Sequence, residues 1–304
     1  MSTSLWWIFD LAVILIAVYV IAVNAKRGVT KSIILGIGYV VTMVAASLLA
    51  AAAAPALYSS VAYDNNITGI LTANQHTDFA QIFTDALNGQ HYGFTADVRD
   101  VSKILNDPDL NQEFDSALYD YACDKVGGTV AMRSDFDNAL RSAFISQYGH
   151  ELGERLPKYI RMNFEQEVRD DPEMMRKLIA VNYDPDLSRE ERADVLEQHF
   201  ASKPTTQVLQ IFIYFIIFSI VMVIVALISA VMQNKLFFNI QNSTDHAVGA
   251  LLGILEAGAM LVLLTLLVRL IVLLTGGSTA LFNDETISHS MLFGFLYDNL
   301  SILL

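Results

Sequence analysis

Three ionisable side chains stand inside long apolar runs: Asp10, Glu256 and Arg269. A charge at mid-depth in hydrocarbon costs roughly 2.5–3.5 kcal/mol on insertion scales, so each of them calls for a partner or a task. Glu256 is the candidate for chemistry, the handling of protons or ions. The plainer reading is a carboxyl that is hydrogen-bonded by Ser, Thr, Asn or Gln of a neighbouring helix, or that stays protonated. Elsewhere the reactive residue types fall short of a working set. His150-Glu151-Leu152-Gly153-Glu154 begins like a zinc helix, but Glu154 stands where the second imidazole is needed. His76, His91 and His199 are dispersed, and Asp-Pro-Asp at 107–109 and 184–186 lacks the glycine and ligand alternation of a calcium loop. There is no nucleophile elbow and no glycine-rich phosphate loop, and Cys123 has no activating neighbour in sequence. No enzyme activity, metal or cofactor is expected.

The elements that hold these residues can be read from composition. The 304 residues are 54% hydrophobic and 17% charged, with a mean hydropathy of +0.43. An ordinary soluble domain is about 25% charged, so this chain reads as an integral membrane protein. The excess lies in four runs, Leu5–Val23, Ile33–Ala56, Val208–Met232 and Ala247–Leu274, each near or above the ~20 residues a helix needs to cross a bilayer. The expected fold is all-α, with four transmembrane helices in two hairpins, 1–56 and 205–274. A net charge of -13, from 19 basic and 32 acidic residues, argues against nucleic-acid binding.

Lys26, Arg27 and Lys31 crowd the connector between the first two runs, which places it in the cytoplasm by the positive-inside rule. Residues 57–204, the tail 275–304 and both termini are then outside. Trp6 and Trp7 suit an interfacial belt at the outer end of the first helix. In this arrangement Asp10 and Arg269 both lie ~7–8 Å below the outer surface, and an ion pair between them is expected to register one hairpin against the other.

Segment 57–204 holds 26 acids against 14 bases, a balance of -12, and is long enough for a domain of its own. It reads as an extracytoplasmic insert of about five to seven helices. Asp107-Pro108, Asp171-Pro172 and Asp184-Pro185 are expected helix starts, Ser188 to Glu191 has capping-box spacing, and Asn88-Gly89 and Gly127-Gly128 read as turns. Phe136, Leu140 and Phe144 recur on one helical face. Gly36, Gly38, Gly249 and Gly253 mark close helix packing, within one chain or in a homo-oligomer. In the tail, Ile287, Met291, Leu292, Phe295, Leu296 and Leu300 share one face of an expected amphipathic helix.

Several of these residues carry a resemblance. They are an acid early in the first span, Asn24-Ala25-Lys26-Arg27-Gly28 leading into an apolar helix, and the fourth-helix run Val248-Gly249-Ala250-Leu251-Leu252-Gly253-Ile254-Leu255-Glu256. Ser288-His289-Ser290 before a short helix ending at Asn299 completes the set. In these the chain resembles the colicin V production protein family (CvpA-like) over about residues 5–60 and 206–300. It departs from the usual pattern at Asn24, where the family has glycine, and at Leu300, where it has proline; the insert is also foreign to the short family pattern. The resemblance implies a bacterial multi-pass inner-membrane protein connected with toxin biosynthesis or export and with envelope homeostasis. Its implied partners are the lipid bilayer and envelope or secreted proteins. The expected role is that of a non-enzymatic accessory or scaffold, the alternative being a small oligomeric transporter or channel working through Glu256.

Overall fold

The computed structural model describes residues 5–27, 29–232, 242–277 and 279–299, and among these the regular structure is entirely helical. The chain divides into two compact units, one of residues 59–205 and one formed by the two flanking segments.

The flanking unit contains α1 (Trp7–Arg27), α2 (Val29–Val61), α11 (Ser202–Met232) and α12 (Asn242–Thr275), all long and apolar enough to cross a membrane. Two short helices come after them, α13 (Asp284–Ser288) and α14 (Leu292–Asn299). The first helix packs along the last long one, α1 against α12. A second core joins Leu35, Tyr39, Ala46 and Ala50 of α2 with Tyr214 and Phe218 of α11 and Leu266 of α12. Leu15, Val18, Leu48, Ile216, Leu227 and Leu251 are each more than half exposed, a surface suited to hydrocarbon and not to water. The second helix runs past the expected end at Ala56, through Pro55 to Val61. Proline there removes one backbone donor, and the strong helix formers Ala50 to Ala54 before it keep the helix going. Lys26 is exposed, while the expectations for Arg27, Lys31 and Leu300 fall on side chains or residues outside those described.

The central unit is built from eight helices: α3 (Tyr63–His76), α4 (Phe79–Gly89), α5 (Val98–Asn106), α6 (Phe114–Val126), α7 (Arg133–Arg155), α8 (Lys158–Asp170), α9 (Pro172–Tyr183) and α10 (Arg189–Phe200). The long α7 is its axis. Phe136, Leu140, Phe144, Tyr148 and Leu152, four residues apart, form one fully buried stripe packed by Phe79, Phe83 and Phe164. Tyr148 donates to Asn74 Oδ1 at 2.6 Å, and burial pushes its phenol far above the usual range. Asp115, 3% exposed, accepts from Arg176 through Nε at 2.8 Å and Nη2 at 2.7 Å, and from Arg133 Nη2 at 2.9 Å.

Local signals explain most of the helix ends. Asp171 accepts from Glu173 N with Pro172 in the first turn of α9, and Ser188 and Glu191 form a complete capping box on α10. Gly127 ends α6 with a φ of 71°, which its missing Cβ permits. Two expected helix starts are corrected. Asp107 and Asp184 instead end α5 and α9, and each carboxylate accepts from the N–H two residues on, Asp109 or Asp186, at 2.9 Å. The proline between them sets a turn angle, and the aspartate closes an Asx turn in place of a helix. The caps Asp78 and Asp97, which start α4 and α5, have no proline to advertise them.

Candidate functional site

Glu256 sits on the face of α12 turned toward α1 and is 5% exposed. Its Oε2 accepts from Asn24 Nδ2 at 2.7 Å, and the same amide donates to Val20 O at 3.0 Å. Ser32 Oγ reaches Asn24 Oδ1 at 3.1 Å, so three buried polar side chains from α1, α2 and α12 form one chain of hydrogen bonds. An asparagine side chain is short, and it spans this distance only because the helices nearly touch. A Cβ built on Gly249 would lie 2.7 Å from Asn24 O, and one on Gly253 would lie 3.0 Å from both Asn24 Cβ and Ile21 Cα. Above this contact, His246 Nδ1 and Ala25 O are 2.6 Å apart. Gly38 meets the side chain of Val225 on α11 at a distance no Cβ could share, whereas Gly36 has only Leu252 O at 3.7 Å.

Glu256 also borders a cavity of about 400 Å³ lined by Tyr19, Asn24, Tyr39, Ser219 and Met222 among others. The cavity opens past the exposed side chains of Tyr19 and Val223. As a cation site it is poor in oxygen ligands: Glu256 supplies the carboxylate, Asn24 Oδ1 already serves Ser32, and hard cations take six or more oxygens. Among the described residues no group of three or more His, Cys, Asp or Glu could hold a metal. The arrangement can bind and release a proton through a single carboxyl, or it can lock α1 to α12.

At the N-terminal end of α1 the expected Asp10–Arg269 ion pair does not form. Asp10 instead receives the first N–H groups of α14, with Met291 N on Oδ2 at 2.9 Å, and Leu292 N and Phe293 N on Oδ1 at 2.8 and 3.0 Å. Equal depth placed the two charges at one level, but a helix N-terminus offers a carboxylate several oriented donors at once, and α14 brings them to Asp10. Phe9 stacks on Phe293 with ring centroids 4.9 Å apart, fixing the approach. Arg269 lies over the ring of Tyr297, 5.8 Å from its centroid, and its Nη1 is buried without a hydrogen-bond partner.

The tail therefore packs on α1 and α12, with Ile287 and Phe293 in a shared core with Phe9, Val13, Val268 and Val272. The expected single amphipathic face is corrected as well. Met291, Leu292 and Phe295 are exposed, because the helix breaks between Ser288 and Leu292 and Asp10 sets its new direction.

Sequence reasoning singled out Glu256 but not the use made of Asn24, Ser32 or Tyr39. The available signal was a polar residue, Asn24, directly after an apolar run. Compared with protein-family models, curated proteins and solved structures, the chain matches none.

Proposed function

We propose that this chain is a non-enzymatic accessory or scaffold of the bacterial inner membrane, of the colicin V production (CvpA-like) kind. Its four long helices cross as two hairpins, and its central helical unit lies on the outer side with both termini. Its work is in the envelope, in toxin biosynthesis or export or in envelope homeostasis, through contacts with envelope or secreted proteins.

One observation carries this reading. The residues on which the family resemblance rests meet in two joints: Asn24 with Gly249, Gly253 and Glu256, and Asp10 with the start of the short helix that ends at Asn299. Motifs far apart in sequence that converge in this way are structural fastenings, and a chain fastened twice between its first and last helices is suited to holding a module in place.

The cavity beside Glu256 favours a second reading, a small oligomeric transporter or channel that passes protons or ions. Proton flux into liposomes containing the purified full chain separates the two. For a scaffold, flux equals that of empty liposomes, and Glu256→Gln, which keeps an acceptor for Asn24, leaves the protein folded and abundant in the membrane. A flux that Glu256→Gln abolishes would establish the transport reading. Cysteine labelling from outside intact cells, at positions 31 and 278 in a Cys123→Ser background, tests the sidedness. Modification at 278 and protection at 31 is the expected result.

A further inference from the structure

The central unit is strongly acidic, yet one groove on it has the opposite character. Between α7 and α8, Arg141, Arg161 and Arg169 line a space of about 580 Å³ together with Ser142, Ser146 and Glu165. Residues 138, 141, 142, 145 and 146 share one face of α7, and 161, 165 and 169 succeed one another at four-residue steps on α8, so two helical faces meet across the groove.

Two of the three guanidiniums share one carboxylate there. Arg161 Nε donates to Glu165 Oε1 at 2.7 Å, and Arg169 Nη2 lies 3.8 Å from Glu165 Oε2. Arg141 makes no ion pair among the described residues, and its Nε is buried with no hydrogen-bond partner. Asp171 feels the charge of Arg141, but its oxygens are engaged by Glu173 N and Lys177 Nζ. Gly153 completes the cradle: a Cβ there would lie 2.6 Å from Arg161 Cδ, so the bare backbone of α7 lets that side chain lie flat across it. This gives the glycine of His150-Glu151-Leu152-Gly153-Glu154 a packing role.

We propose that this groove binds a small phosphate-bearing anion. A planar carboxylate is matched by one guanidinium fork, whereas the tetrahedral oxygens of a phosphate accept from several directions, as three arginines on two helices with added serine donors can supply. The volume is that of a small-molecule site and leaves room for an organic part beside the phosphate.

The test is calorimetric titration of inorganic pyrophosphate into the full chain in phosphatidylcholine nanodiscs at about 0.15 M salt, which screens non-specific attraction. Saturable one-site binding is expected. Arg141→Gln should weaken it about tenfold or more, Lys103→Gln, on an exposed face of α5, should leave it unchanged, and Glu165→Gln should tighten it by freeing Arg161 and Arg169. Absence of saturable binding, equal affinity in Arg141→Gln, or weakening in Glu165→Gln would overturn the proposal. Repeating the titration in phosphatidylglycerol nanodiscs identifies the source of the phosphate. Lost pyrophosphate binding there assigns the groove to a lipid headgroup, and unchanged binding assigns it to a soluble ligand.

Discussion

Glu256 and Asp115 are both buried carboxylates, but they are held in different ways. Asp115 is met by two guanidiniums, whose side chains, 36% and 34% exposed, keep one edge in solvent. Glu256 is met by the neutral amide of Asn24, which is itself 1% exposed. Long cationic side chains can reach inward from a wet rim and cancel a charge at a distance. The amide of Asn24, a short side chain on an adjoining helix, reaches Glu256 directly. The helices must then nearly touch, which is why Glu256 is accompanied by Gly249 and Gly253 while Asp115 needs no glycine.

The contrast is broken most strongly at Asp115. Asp115→Ala removes the shared counter-ion of Arg133 and Arg176, of which Arg133 keeps Asp137, and should cost about 2–3 kcal/mol, read as lost stability of the central unit in denaturant unfolding. Next is the glycine contact. Gly249→Val drives a side chain into the backbone of α1 and should cost about 1–3 kcal/mol in detergent-solubilised protein. Gly36→Ala, with its nearest neighbour at 3.7 Å, should be close to neutral, and equal effects at the two positions would remove the argument from close approach.

At the joint between α1 and α14, Asp10→Ala should cost about 1 kcal/mol, the usual worth of a helix cap, and should speed hydrogen exchange at the amides of Met291, Leu292 and Phe293. The exchanged pair Asp10→Arg with Arg269→Asp should not rescue, since neither residue uses the other.

The smallest effect is at low pH. The N–H of Glu173 holds the Asp171 carboxyl below its ordinary 3.8, and the N–H of Ser188 holds Glu191 below 4.5. Depressed carboxyls contribute stability that is complete above those ordinary values and is lost as pH falls through the lower folded ones. Melting temperature should therefore decline with acidification below about pH 4.5, and Asp171→Asn should flatten the decline.

Much of this was legible in the residues themselves, for local reasons. Four apolar runs have the length of a bilayer crossing, Phe136, Leu140 and Phe144 repeat at the helical period, and Ser188 with Glu191 is a cap readable from spacing alone. Asp107-Pro108 shows where local reading fails, since the same dipeptide serves a helix start at Asp171 and an Asx turn at Asp184. The two turns share the sequence Asp-Pro-Asp-Leu, whereas the helix start reads Asp-Pro-Glu-Met.

Three charges within the long apolar helices were visible as residues in need of partners, because desolvation is a property of the side chain and its surroundings. Who the partners are was not. Depth along a helix is one coordinate, whereas a contact also requires rotation about the axis and the arrival of other elements. Only the tertiary structure turned Glu256 toward Asn24, brought α14 to Asp10 and left Arg269 over Tyr297. It also gathered three arginines of an acidic unit into one groove, because helical faces that are separate in sequence meet only when the helices pack.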